Sequence, residues 1–116
     1  MSIPQVSPGD VIDVRPLNAK LRESKTHTLL KTDGMEVIRL VMPAGKIIPE
    51  HKALGEITVQ CLEGKIRFGC EGSQQILCAG EMLFLTAAQP HAVEAIEDSS
   101  ILVTLLLRSR TPTTQE

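Results

Sequence analysis

The sequence predicts an all-β domain, a sandwich or barrel built from short strands. Apolar and polar residues alternate with period two in one segment after another. Glycine and proline recur between those segments at the spacing of turns. No stretch carries a helical periodicity that competes with the alternation. At 116 residues the chain suits one domain with a core of its own.

The elements follow in order. Residues 1–20 form a lead-in, opening on two prolines and a Pro-Gly pair, with VIDVRPL as a short edge strand that Pro16 ends. KTHTLLKT and MEVIRLVM flank Asp33-Gly34, a hairpin signal. The second of these places Ile38, Leu40 and Met42 on one face, with Val37, Arg39 and Val41 on the other. After Pro43-Ala44-Gly45, alternation from Lys46 sets Ile47, Pro49, His51 and Ala53 on one face and Lys46, Glu50 and Lys52 on the other.

EITVQCLEGKIRFGCEG reads as two strands hinged at Glu63-Gly64. Ile57, Val59 and Cys61 share one face, Glu56, Thr58 and Gln60 the opposite one, and Ile66 and Phe68 alternate with Lys65 and Arg67. SQQILCA, MLFLT and HAVEAIE supply three more strands, with a turn at Asp98-Ser99-Ser100. ILVTLLLR is apolar almost throughout, which predicts cover on both faces and a homodimer whose partner supplies the second layer. The barrel segment is residues 21–108, and 109–116 is a polar tail expected to be disordered.

Composition narrows the function classes. Twelve Lys and Arg stand against 14 Asp and Glu, scattered, for a formal charge of −2. That argues against a nucleic-acid partner, which needs a basic face. No run of eighteen apolar residues marks a membrane span, and MSIPQVSPGD lacks the features of a signal peptide, so a cytoplasmic protein without membrane partners is expected. Without Trp or Tyr, and with only Phe68 and Phe84, a sugar-stacking platform, an aromatic cage and a tyrosine acid or base are excluded. The three cysteines lack CxxC spacing and read as reduced thiols. Cys61, on an apolar face, is expected to be inert, whereas Cys70 and Cys78 flank one loop, which leaves an approach between them open.

Two stretches carry a resemblance. In GKIIPEHKALGEITVQCLEG, five residues separate Gly45 from His51, and Leu62-Glu63-Gly64 closes the segment. In GEMLFLTAAQPHAVEA, Gly80 precedes His91, with Pro90 just before it. These are similar to the motifs G(X)5HXH(X)3,4E(X)6G and G(X)5PXG(X)2H(X)3N of a small single-domain cupin of the RmlC-like superfamily. The resemblance covers roughly Met35 to Leu107 and implies a double-stranded β-helix, or jelly-roll, barrel. Ala53 stands at the second histidine position, Thr86 and Ala88 at the proline and glycine positions, and Ala95 at the final asparagine.

In metal-binding cupins the ligands are the motif histidines and the glutamate. By that resemblance His51, His91 and Glu56 are the candidate metal set, for a divalent Fe, Mn, Zn or Ni ion. Counting back seven from Gly64 lands on Ile57, so Glu56 joins the histidines only through a bulge or turn at Leu54-Gly55 that swings its carboxylate inward. Such a set with open positions suits Fe(II) or Mn(II).

The leading expectation is a small polar ligand bound in the barrel around His51 and His91. The runner-up is a metal-dependent dioxygenase or isomerase using His51, Glu56 and His91. A regulatory module acting through a partner, with Thr58 and Gln60 at its surface, is the third. His27 reads as a surface histidine.

Overall fold

The structure is a computed structural model and describes residues 6–107. The expected tail therefore lies outside the described residues, as do the start of the lead-in and the end of the barrel segment. The Asp33-Gly34 turn joins β1 (His27–Lys31) to β2 (Met35–Met42), as the alternation predicts. β3 (Ile47–His51), β4 (Ile57–Glu63), β5 (Lys65–Cys70) and β6 (Ser73–Cys78) follow. β7 (Met82–Leu85), β8 (His91–Ala95) and β9 (Ser99–Leu106) complete the chain.

All pairings are antiparallel, in a five-stranded sheet of order β1-β2-β9-β4-β7 and a four-stranded sheet of order β3-β8-β5-β6. The two sheets make the jelly roll. Ile57, Val59 and Cys61 from the first meet Ile66, Phe68 and Val93 from the second, and Met42 and Ile101 fill the space between. Gly64 is the hinge between sheets: its φ is +86°, and a Cβ there would lie 2.3 Å from the Asp98 carbonyl oxygen.

Four expectations are corrected. VIDVRPL pairs with no strand, because Asp13 accepts from the backbone N–H and the guanidinium of Arg15, a local arrangement that competes with a ladder. A 3₁₀ helix at Asn18–Glu23 follows it and buries Leu21. Ser99 and Ser100 open β9 rather than sit in a turn, fully buried, with Ser99 Oγ accepting from the Lys65 N–H at 3.0 Å. Cys70 and Cys78 lie at opposite ends of the β5–β6 hairpin, since Cys70 pairs with Ser73 and Cys78 with Lys65. Five rungs separate them, roughly 17 Å.

The fourth correction concerns β3. Ile47 pairs with Glu94 and Ile48 with Val93, but His51 pairs with His91, so three steps on β3 match two on β8. This bulge reverses the parity of the strand. Ile48, not Ile47, packs on the core, and Ile47 is 59 % exposed. His51 rejoins the inward face beyond the bulge. Among the described residues no helix is long and apolar enough to cross a membrane.

Candidate functional site

His91 opens β8 and faces inward with Val93 and Ala95. The bulge in β3 delivers His51 directly opposite it. The ring centroids lie 4.2 Å apart with planes inclined by 63°. On its other side His91 stacks on Phe68, 5.5 Å between centroids and 11° from parallel. His91 is buried, at 5 % exposed, while His51 is exposed at the mouth.

Each imidazole is held in the same way. His51 Nδ1 is 2.9 Å from the Pro49 carbonyl oxygen, and His91 Nδ1 is 2.9 Å from that of Gln89. A carbonyl can only accept, so the partner assigns the proton to Nδ1 in both rings. Nε2 of each neutral ring is then a lone-pair acceptor. Burial pushes the His91 pKa below its ordinary 6.5, the neighbouring His51 ring adds to this, and the bond to Gln89 opposes it. His91 is therefore neutral at pH 7.

Below the pair lies a cavity of about 140 Å³. Its wall is apolar: Ile57, Val59, Phe68, Ile101, Val103 and Leu105 supply most of it. Besides the two histidines, Lys52 is the one polar residue in the lining, and Ala53 stands beside it. Alternation in the sequence sends Lys52 to the opposite face from His51. Strand β3 ends at His51, which frees Lys52 from the alternation and lets both reach the rim, and no residue type in the sequence announces it. Phe68 as the platform under His91 is likewise visible only once β5 and β8 are in register.

Glu56 is not brought to the site, which corrects its expected place. Its backbone carbonyl accepts from the Leu106 N–H at 3.0 Å, continuing the β4–β9 ladder, and the following Ile57 faces the core in regular register. The chain bends at Leu54-Gly55 without turning the carboxylate inward, and Glu56 is exposed and absent from the cavity wall. Among the described residues no three His, Cys, Asp or Glu side chains converge. The donor set is two imidazoles, short of the three protein ligands usual for a catalytic metal, so His51, His91 and Glu56 do not fit the expected centre. His27 lies away from the cavity with Nδ1 on the Lys25 carbonyl. Cys61 is fully buried, and burial raises its thiol pKa to about 11, which makes it inert at neutral pH.

No family model matches the chain, and no curated protein matches it in sequence. Solved structures match it closely in fold. A cupin superfamily protein from Desulfitobacterium hafniense aligns with a TM-score of 0.72 at 16 % identity, covering 84 % of this chain and 95 % of that one. A conserved protein of unknown function from Streptococcus pyogenes aligns with a TM-score of 0.72 at 19 % identity, covering 95 % and 98 %. An RmlC-like cupin from Desulfovibrio desulfuricans gives 0.70 at 22 % identity, covering 84 % and 98 %. The fold of this chain is that of the cupins. Cupin folds host many unrelated functions, so the activity has to be argued from the site.

Proposed function

We propose that this cupin-fold chain binds a small, largely apolar molecule bearing one hydrogen-bond donor, such as a hydroxyl, in the barrel beneath His51 and His91. The observation that carries the reading is the paired, identically tethered imidazoles closing an otherwise apolar cavity. In its neutral form each ring presents Nε2 as an acceptor, which suits a donor on the ligand, and Lys52 is the one other polar residue in the lining. Size sets the second condition. A dry apolar cavity of about 150 Å³ holds a molecule the size of benzene, so the 140 Å³ here takes one ring or a short branched chain.

Phenol and benzene are the probes. Phenol should bind the full chain more tightly than benzene, by about tenfold if one hydrogen bond distinguishes them. His91→Phe keeps the ring stack on Phe68 and removes the buried acceptor, so it should weaken that preference without unfolding the protein, and adding His51→Ala should abolish it. Equal binding of the two probes, or no binding of either, overturns the reading. Metal chemistry is not favoured, because the third ligand it would use faces away from the histidines.

The same reading includes a homodimer. Across β7, β4 and β9, Met82, Gln60 and Leu102 form one row and Phe84, Thr58 and Thr104 the next, all on the outer face of the five-stranded sheet. Phe84 is 63 % and Met82 57 % exposed. Over β7, β4 and β9 these rows carry no charge, and Arg39, where the first row continues onto β2, is buried, so a two-fold contact sets like against like without repulsion, and a second copy of this chain is the occupant they suit.

A further inference from the structure

Arg39 is the one Lys or Arg among the described residues that is buried, at 4 % exposed. The register of β2 with β9 pairs it with Leu102, which puts it on the outer face of the five-stranded sheet. The preceding lead-in closes over it there. Arg39 Nη2 donates to the Arg15 carbonyl oxygen at 2.8 Å. Its Nε is fully covered and has no partner, and none of the ion pairs among the described residues includes it. A guanidinium carries five N–H donors, and the bond to the Arg15 carbonyl is the one this group makes among the described residues.

The acids nearby feel the charge of Arg39, but their hydrogen bonds go elsewhere. Asp13 holds the Arg15 guanidinium at 2.9 and 3.0 Å. Glu63 accepts from the backbone N–H groups of Leu17 and Asn18 at 2.8 and 2.9 Å, and from the Ser100 hydroxyl. Around Arg39 the lead-in leaves an open cleft of about 470 Å³, whose charged walls are Arg15, Lys20, Arg39 and Asp13. Three cations face one carboxylate. Asn18 adds a neutral amide donor.

From this geometry we propose that the cleft is a second binding site, for a small, multiply charged oxyanion of the phosphate type. Arg39 is its fixed, buried donor and Lys20 its mobile second cation. The terminal N–H groups of the guanidinium match such an oxyanion, and the ammonium of Lys20 adapts to its position. The site is separate from the barrel cavity. Leu40, the next residue, lines that cavity from the opposite face of the same strand.

The test is a titration of the full chain with sodium phosphate, and with sodium acetate at matched ionic strength, followed by amide NMR. Phosphate should saturably shift the amides of Leu17, Asn18 and Lys20, and acetate should do so far more weakly. Lys20→Gln, a change on an exposed 3₁₀ turn, should weaken phosphate binding. Arg39→Gln should weaken it by about tenfold or more, the effect of losing a charged donor. If Arg39→Gln does not fold, the wild-type and Lys20→Gln titrations decide alone. Absence of saturable shifts at Leu17 and Asn18, an equal response to acetate, or phosphate binding unchanged in Lys20→Gln overturns the proposal.

Discussion

The His51 and His91 rings meet edge to face, 4.2 Å between centroids, across a strand pair that contains a bulge. Each ring is fixed by a carbonyl two residues before it, so neither can turn its Nδ1 to its neighbour without losing that bond. The pair is a fixed set of two rings, one buried and one at the mouth.

Stability should depend on the protonation of His91. Its folded pKa lies below 6.5, the ordinary value that the unfolded chain retains, because of burial and then the His51 ring. Below about 6.5 the unfolded state takes up the proton first. The contribution of neutral His91 is thus fully present above 6.5 and is lost as pH falls from there toward the folded pKa. Urea unfolding across this range should show wild type losing stability on acidification more than His91→Phe does. An NMR titration of the His91 ring should give a midpoint below 6.5, and one at or above it would reject the assignment.

Glu63 should anchor the lead-in to the barrel. Burial by itself raises its pKa. The hydrogen bonds from Ser100, Leu17 and Asn18, with the charge of Arg39, outweigh that and hold the carboxyl below its usual 4.5. This contribution is present above 4.5 and is lost as pH falls through the lowered value. Glu63→Gln keeps the shape but not the charge, and should cost about 1–3 kcal/mol of stability at neutral pH. Limited proteolysis should then cut the lead-in faster than in wild type. Unchanged unfolding and cleavage would show that the three bonds do not hold the segment.

Most of the fold was legible because β4, β5 and β8 keep strict alternation, and a period of two has one solution once one face is buried. Ile57, Val59, Cys61, Ile66 and Phe68 all landed inside as their positions predict. β3 was not legible, because a bulge adds a residue without any change in residue type. Ile47 and Ile48 are chemically the same, and only pairing with β8 decides which is inside. The two histidines were found by their motif positions, whereas the cover over Arg39 was missed. The sequence suggests strand VIDVRPL as an addition to a sheet edge, but the lead-in lies across the outer face instead, with Arg15 reaching Arg39 through its carbonyl.

Ala53 offers a direct test of the metal question. It lines the cavity beside His51 and occupies the second histidine position of the cupin motif. Ala53→His should supply the third imidazole that the site lacks. Protein without a histidine tag, dialysed against Co(II) or Zn(II) and measured by elemental analysis, should retain about one ion per chain in Ala53→His and far less in wild type. His51→Ala added to that variant should release the ion. Equal retention by wild type would mean that two imidazoles find further ligands, and the enzyme reading would regain its footing.

The homodimer is tested on the face described by Phe84 and Met82. Size-exclusion chromatography with light scattering should give twice the chain mass of 12.6 kDa for wild type. Phe84→Glu places a charge at the edge-strand end of an uncharged row and, in a two-fold contact, near its own copy, so it should yield a monomer at the same concentration. The residue is exposed on an edge strand, so the substitution removes little core packing and should change the unfolding midpoint of the monomer by no more than a few degrees. Monomeric wild type would leave these rows facing solvent. A dimer that survives Phe84→Glu would place the contact on another face, and cross-linking at Ile47 or Ile76, the exposed apolar residues of the four-stranded sheet, would then locate it.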